Sequence, residues 1–276
     1  MRRILVILTT ALTWISGIDA AYADDQAGHY ALNADGSRDC TRLIASGNPD
    51  YPPYLWKSGD GRTLDGAAAD FLKRVGELAG VEIDVIQAGS WSRVQHNMQE
   101  GTLDMIAGAF LTAARLEYMD YFFPAFQGTR TVIWTLDNLD LNYRQWSDLQ
   151  GLEGLTVIDN SFGQEFDAYA VENLSITKVP SLEQGLKMLT YNRGEYLIYE
   201  EFPGKAFAAR QRITNIRSYD TPVSTENLYL TMSHKSACNT GALRGRINRA
   251  VLKLVTEDAM KDMLEASIQR WGESTN

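Results

Sequence analysis

The chain has 276 residues, of which 45% are hydrophobic, and its formal net charge is −9. That length and apolar content are enough for two lobes with cores of ordinary domain size. An acidic surface repels phosphate backbones, and no basic run with interleaved aromatic residues occurs, so nucleic acid is excluded as a partner. The three histidines show no ligand spacing with one another or with cysteine, so we expect no metal site and no cofactor.

The first 23 residues have the pattern of a secretory signal peptide. Arg2 and Arg3 precede an apolar run over 4–18, and positions 21–23 form a small-x-small cleavage site. A membrane anchor is the alternative, but the run is shorter than the roughly 20 residues that a span needs. We therefore expect cleavage after Ala23 and a periplasmic protein.

The mature chain begins with a polar segment, 24–39, that lacks periodicity, and we expect it to be a loose N-terminal arm. Cys40 and Cys238 are the only cysteines of the sequence. In an oxidising compartment such a pair predicts one disulfide bond, while two separate buried thiols are the alternative.

A turn stiffened by prolines follows the first predicted strand, 42–46. It carries Tyr51 and Tyr54. A rigid loop after a strand is where binding sites are built, so we expect at least one of these tyrosines to face a cleft. The alternative is that they pack on the core.

The next elements alternate between helix and strand. Helical periodicity over 68–79 and 91–100 ends in each case at a glycine. The segments 81–86 and 103–107 have the apolar pattern of strands. This alternation predicts right-handed crossovers and a parallel sheet.

The segment that follows the last of these strands contains three residues that suit the binding of a small anion. Gly108 ends the strand, Thr112 is a fair N-cap, and the short turn that follows carries Arg115. A guanidinium presents a planar fork that a carboxylate matches. The stretch therefore predicts a ligand-binding rim rather than a catalytic centre.

The second half of the chain also alternates strands and helices. The β-rich run 129–136 leaves the first lobe, and 155–158 is another strand. Ser161 to Gln164 fits a capping box with Ser161 as the N-cap, and a helix N-terminus offers N–H groups to a carboxylate. An ordinary capped helix without a ligand is the alternative.

Two consecutive acids end the next predicted strand, 195–199. Glu200 and Glu201 lie where open α/β sheets hold ligands, and a solvated surface pair is the alternative. The remaining predicted elements are strands over 176–179, 213–219 and 227–233, and helices over 182–189, 244–256 and 259–271.

A series of short motifs runs in one order along nearly the whole chain. They are Tyr51-x-Pro53-Tyr54, Asp65-Gly66, Asp70-Phe71, Trp91, Gly101-x-x-Asp104, Gly108, Thr112-x-x-Arg115, Phe123-Pro124, Asp148-Leu149-x-Gly151 and Asn192-Arg193-Gly194-Glu195. Each motif is weak by itself, and their joint order is specific. Over 41–271 the chain resembles extracellular solute-binding proteins of the polar amino-acid type, family 3, the receptor components of ABC importers.

The resemblance implies an α/β fold of two lobes, the type II periplasmic-binding-protein fold, with two crossover strands as a hinge. By analogy the first lobe comprises 40–127 plus 222–272, and the second lobe comprises 128–221. Both cysteines then belong to the first lobe. The resemblance also implies a monomer that binds a small-molecule ligand and presents it to a membrane permease.

The resemblance implies roles for residues of the first lobe. Tyr51, on the same turn as Tyr54, matches the aromatic residue that stacks on the ligand, and Trp91 matches the apolar wall opposite. Arg115 matches the arginine that pairs with the α-carboxylate, assisted by the backbone after Gly108.

In the second lobe, Ser161, Phe162 and Gly163 match the helix start that completes the carboxylate site. Glu200 matches the acid that holds the α-ammonium group, although the family usually has aspartate there. Phe110 stands where the family has Ser or Thr, which removes one hydroxyl donor. The pocket is therefore expected to be narrower, or to take a different small anion.

Two further functions use the same fold. A periplasmic cyclohexadienyl dehydratase would use Glu200 or Glu201, with a pKa raised by burial, to protonate a leaving hydroxyl of prephenate or arogenate. A ligand sensor would present its closed form to a membrane partner other than an importer. Because an arginine, an acid and an aromatic clamp are enough for binding, our leading interpretation is a receptor without enzymatic activity.

Overall fold

The computed structural model describes residues 30–32 and 38–274, so the expected signal peptide lies outside the described residues. The strands are β1 (Tyr30–Leu32), β2 (Arg38–Cys40), β3 (Arg42–Ser46), β4 (Asp50–Tyr51), β5 (Leu55–Lys57), β6 (Leu64–Asp65), β7 (Glu82–Val85), β8 (Met105–Ala109), β9 (Met119–Tyr121), β10 (Gln127–Leu136), β11 (Glu153–Val157), β12 (Ser175–Val179), β13 (Tyr196–Glu200), β14 (Ile216–Ser218) and β15 (Ser224–Ser233). The helices are α1 (Ala67–Ala79), α2 (Trp91–Glu100), α3 (Ala113–Leu116), α4 (Gln164–Asn173), α5 (Leu182–Thr190), α6 (Glu201–Arg210), α7 (Gly241–Thr256) and α8 (Ala259–Glu273).

One long sheet runs through the molecule in the order β12-β11-β13-β10-β15-β8-β3-β7. At one end β3 pairs in parallel with β7 and β8, and at the other β11 pairs in parallel with β12 and β13. The prediction of parallel sheets is therefore confirmed. We call the part around β3, β7 and β8 the first lobe, and the part around β11, β12 and β13 the second lobe.

Two antiparallel strands, β10 and β15, stand between these groups. They pair with each other from Gln127↔Leu228 to Thr131↔Ser224. Beyond that stretch β10 pairs with β13 of the second lobe, and β15 pairs with β8 of the first. These are the two crossover strands. The residue bounds expected for the lobes stay a prediction.

Several helices pack through the periodic apolar faces that the sequence shows. In α1 the buried face includes Phe71, Leu72 and Val75, and the helix ends at Gly80, whose φ of 69° is left-handed. Glycine adopts that conformation without the steric cost that a Cβ atom imposes. This face packs against α7 and α8, which return from the C-terminal end of the chain.

Several elements differ from the sequence-based expectation. Within 24–39 we expected no regular structure, but β1 and β2 pair antiparallel, from Tyr30↔Cys40 to Leu32↔Arg38. The proline-stiffened turn is part of a small sheet, β4-β5-β6. The helix α6 was not predicted, because its Pro203 and Gly204 read as a break and its apolar residues lack a helical period.

Cys40 and Cys238 form a disulfide bond, as the cysteine count predicted. The bond joins the end of β2 to the turn before α7, across a sequence separation of 198 residues. It therefore ties the C-terminal helices to the start of the first lobe. None of the described helices has the length and apolarity needed to cross a bilayer.

Candidate functional site

A cavity of about 30 Å³ lies between the two lobes. Its lining comes from the loop after β3, from α2 and α3, from the end of β8, from the segment after β11, and from β13 and β15. The lining residues are Asn48, Tyr51, Trp91, Gly108, Ala109, Phe110, Arg115, Asn160, Ser161, Glu200 and Leu228. A cavity of this size holds water molecules but not a larger solute.

The aromatic residue at one side of the cavity is Tyr51. Its ring packs against that of Tyr54, with centroids 5.1 Å apart. Tyr54 is 1% exposed and does not belong to the cavity lining of the described residues, so it contacts the cavity residue Tyr51 without lining the cavity itself. Burial, reinforced by the nearby charge of Glu200, raises the pKa of Tyr51 well above its ordinary value. Tyr51 is therefore a neutral phenol at the cavity.

Arg115 points into the gap between the lobes and not into bulk solvent. It is only 6% exposed, and its guanidinium lies 5.4 Å from the ring centroid of Trp91. Nη1 donates to the carbonyl oxygen of Phe110 at 3.1 Å. Thr112 caps α3, and its Oγ1 accepts a hydrogen bond from the backbone N–H of Arg115 at 3.3 Å. The guanidinium is thus held in place by an aromatic face and a backbone carbonyl.

Glu200 brings the opposite charge to the same cavity from the end of β13. Burial raises its pKa to about 7, and the charge of Arg115 acts in the other direction. Its Oε2 is buried and has no hydrogen-bond partner among the described residues. Thr131 on β10 lies opposite Glu200 in register, and its hydroxyl also has no hydrogen-bond partner within the part of the chain that the structure describes.

The two consecutive acids have different surroundings. Glu201 opens α6 and makes ion pairs with Arg130 at 2.8 Å and with Lys205 at 2.5 Å. It lies outside the cavity lining as the described residues define it. The position at the strand end did not distinguish the two acids, whereas the family resemblance selected Glu200, and Glu200 is the one that lines the cavity.

The expected capping box at the start of α4 is wrong. The N-cap is Gly163, which has no side chain that could cap the helix, and the Gln164 side chain does not bond to the backbone of Ser161. Its Oε1 instead accepts the Ala113 N–H at 3.1 Å, across the two lobes. The N–H of Phe162 donates to the Asp167 carboxylate at 2.9 Å. Carboxylates of the chain itself therefore occupy part of this helix start.

The members of the Ser161 to Gly163 group have separate places. Ser161 lines the cavity, and its hydroxyl also donates to Asp167. Phe162 packs in the core of the second lobe, 6.2 Å from the ring of Phe166. Gly163 faces Glu226 of β15 so closely that a Cβ atom would lie 2.0 Å from its Oε1.

Beyond the cavity, a wider groove of about 1020 Å³ forms the mouth between the lobes. Arg115 and Ser161 line both spaces. Thr112 lines the groove only, whereas Gly108 and Phe110 line only the cavity. The predicted rim residues therefore lie together, at different depths of one cleft.

Several polar residues of the cleft were not predicted from the sequence, among them Asn48, Gln95, Asp159 and Asn160. Asn48 and Asn160 line the cavity, while Gln95 and Asp159 line the groove. Gln95 carried a usable signal, because a polar residue four positions after Trp91 falls on the buried stripe of α2. Asp159 and Asn160 begin a run of turn-favouring residues after β11, which predicts a loop there but not which of its groups face the cleft.

Comparison with known families gives one clear match. The family model of bacterial extracellular solute-binding proteins, family 3, matches residues 43–270. No curated protein sequence matches the chain.

Solved structures resemble the fold at low sequence identity. A mutant of ArgBP from T. maritima has a TM-score of 0.69 and 15% identity, over 83% of this chain and 95% of that chain. The amino acid ABC transporter substrate-binding protein AbpA from Streptococcus pneumoniae, bound to L-arginine, has a TM-score of 0.68 and 18% identity, over 83% and 95%. A histidine kinase sensor domain similar to periplasmic binding proteins has a TM-score of 0.69 and 18% identity, again over 83% and 95%. At such identities the likeness shows the fold, which is that of periplasmic binding proteins.

Proposed function

Because the chain belongs to the bacterial extracellular solute-binding proteins, family 3, we propose that it is the receptor component of an ABC importer. Its ligand is an amino acid or a similar small carboxylate, bound between the lobes. One observation carries this proposal. Arg115 and Glu200, two buried groups that can carry opposite charges, line the same interlobe cavity beside the rings of Tyr51 and Trp91.

Each of these groups matches one part of such a ligand. The planar guanidinium of Arg115 suits a carboxylate, and an ionised Glu200 suits an ammonium group. Tyr51 and Trp91 supply aromatic faces to the remainder of the ligand. The arginine complex of AbpA, which has the same fold, supports an amino acid as the ligand class.

Ligand entry requires the lobes to separate, since the cavity of about 30 Å³ is far smaller than a ligand pocket, which is typically about 300–1,000 Å³. The strands β10 and β15 are the chain segments that pass between the lobes and form the hinge. We place the first lobe at 40–127 plus 222–272 and the second at 128–221. Binding is then a hinge closure around the ligand.

A thermal-shift screen over amino acids and small carboxylates tests the proposal. A ligand that binds only the folded protein raises the melting temperature, and calorimetry then gives the affinity. Arg115→Ala should weaken binding of that ligand by about 2–5 kcal/mol, because its carboxylate stays buried without a partner.

The matched control is Arg93→Ala, which removes an exposed arginine from α2 and should leave the affinity unchanged. Wild-type affinity in the Arg115→Ala variant would contradict the carboxylate role. Turnover of prephenate or arogenate by the purified protein would contradict a pure receptor.

We also propose that the protein is exported to the periplasm, is cleaved after Ala23, and acts as a monomer with a membrane permease. The basic and apolar pattern of residues 1–23 supports the export, and the family supports the permease. N-terminal sequencing of the protein from the periplasmic fraction should begin at Asp24. An uncleaved N-terminus would contradict the export signal.

A further inference from the structure

Gln95 is a buried amide on a helix face that is otherwise apolar. It lies on α2 with 8% of its surface exposed, beside the fully buried Val94 and Met98. A buried amide without hydrogen-bond partners would destabilise the fold. The partners that Gln95 has therefore indicate its structural role.

The two ends of this amide contact different lobes. In the first lobe, Oε1 accepts hydrogen bonds from Nε of Arg115 at 3.3 Å and from the hydroxyl of Tyr118 at 3.4 Å. Nε2 donates to the carbonyl oxygen of Asp159 at 3.0 Å, in the turn that follows β11 of the second lobe. A single side chain therefore connects the guanidinium to the opposite lobe.

The carbonyl oxygen of Asp159 accepts from three donors of the first lobe. They are Nε2 of Gln95 at 3.0 Å, Nε1 of Trp91 at 3.1 Å and Nη2 of Arg115 at 3.4 Å. A carbonyl oxygen has two lone pairs, so three donors share it unequally. Arg115 makes the longest of the three bonds. A ligand carboxylate can take over this N–H while Gln95 and Trp91 keep their bonds to the second lobe.

The turn that presents this carbonyl is unusual. Asp159 has a φ of 61°, in the left-handed region, and is followed by Asn160, which lines the cavity. Aspartate is one of the few residues other than glycine that adopt this conformation readily. The local backbone is thus shaped to direct one carbonyl at α2 and α3.

We propose that Gln95 is a positioning residue that couples carboxylate recognition to lobe closure, a role that rests on the proposed function. Its Oε1 orients the guanidinium of Arg115, and its Nε2 ties that arrangement to the Asp159 carbonyl. The ligand carboxylate then finds an arginine whose orientation depends on the closed position of the second lobe.

Two substitutions separate the two ends of the amide. Gln95→Met removes both hydrogen-bonding ends at similar length. Gln95→Glu keeps an acceptor for Arg115 but replaces the donor to Asp159 with an oxygen that repels the carbonyl. The matched control is Gln184→Met, the same change at an exposed position of α5.

The first readout is the distance between the lobes, measured by pulsed electron paramagnetic resonance. Spin labels are attached at Glu117→Cys and Glu172→Cys, two exposed positions that line the mouth groove. Both Gln95 variants should shift the distance distribution to longer values, while Gln184→Met should match the parent. An unchanged distribution in Gln95→Met overturns the inference, whatever ligand the protein binds.

The second readout is calorimetry with glycine, L-glutamate and L-arginine as separate probes. For a probe that binds the wild type, Gln95→Met should weaken binding by at least about tenfold, because it removes the hydrogen bonds at both ends of the amide and the loss of a single one already weakens binding by up to about tenfold. Gln95→Glu should weaken it further, because its carboxylate competes with the probe for Arg115. Equal affinities in wild type and Gln95→Met would overturn the positioning role. If the complete ligand screen gives no binder, the proposed function fails, and the interlobe distance still decides the role of Gln95.

Discussion

The side-chain amide of Asn48 donates a hydrogen bond to the phenol oxygen of Tyr199 at 3.1 Å, joining the loop after β3 to β13 of the second lobe. The same hydroxyl donates to the carbonyl oxygen of Asp50 at 3.1 Å. Asn48 also lines the cavity, and Tyr199 is fully buried. These bonds connect the lobes independently of the contacts around Asp159.

Tyr199→Phe removes the hydroxyl and leaves the Asn48 amide and the Asp50 carbonyl without this partner. We expect the free energy of unfolding to fall by about 1–3 kcal/mol. Because the lost bonds join the lobes, the radius of gyration from small-angle X-ray scattering should also increase. The control is Tyr219→Phe, whose hydroxyl donates to the Leu141 carbonyl at 2.6 Å within the second lobe. An unchanged radius in Tyr199→Phe would show that this bond has no part in closure.

Glu200 should make the stability of the protein depend on pH. Burial raises its pKa from 4.5 to about 7 in the folded chain. Between these values the folded protein holds a proton that the unfolded chain has lost, so stability falls as the pH rises. The fall attributable to Glu200 is about 3 kcal/mol between pH 4.5 and 7, and it levels off above that range.

Denaturant unfolding at a series of pH values measures this effect. Burial also raises the pKa of Asp50 and Glu226, so the wild-type curve contains more than one contribution. Glu200→Gln isolates one of them, since the amide has the same shape and does not titrate. Its curve should fall less steeply over this range. Parallel curves for the two proteins would show that Glu200 has an ordinary pKa.

Removing the disulfide should destabilise the first lobe. The bond between Cys40 and Cys238 restricts the unfolded chain over a long loop, and losing it typically costs about 2–5 kcal/mol. We expect a loss of this size in the double variant Cys40→Ser and Cys238→Ser, measured by chemical denaturation. Reductant should destabilise the wild type by a similar amount and leave the double variant unaffected. A wild type whose stability is insensitive to complete reduction would contradict this.

Gly66 should tolerate no side chain. Its φ is 126°, and a Cβ atom there would lie 2.2 Å from the carbonyl oxygen of Tyr54. Because the clashing atom belongs to the backbone, the proline-stiffened turn that carries Tyr54 must shift. Gly66→Ala should therefore lower the free energy of unfolding by at least about 1–3 kcal/mol. Gly59→Ala is the control, since apart from its chain neighbours no described residue lies within 4 Å of the added Cβ. Equal melting temperatures of the two variants would contradict the expected clash.

Much of the fold is predictable because its signals are local. The helical period of α1 and the left-handed glycine after it occur within 14 consecutive residues, Ala67 to Gly80. The parallel order of β3, β7 and β8 follows from the alternation of strands and helices. The helix α6 was not predicted because it lacks such a local signal: its burial is decided by packing and not by a periodic sequence.

The sequence by itself determined the family, predicted the disulfide pair and indicated part of the cleft lining, because the order and identity of residues carry these signals. Only the tertiary structure decided that Glu201 forms ion pairs outside the cavity lining of the described residues, and that Gln95 contacts a carbonyl 64 positions away. The orientation of a side chain depends on the neighbours that packing brings to it. Across a cleft those neighbours belong to the other lobe, and no local pattern in the chain records them.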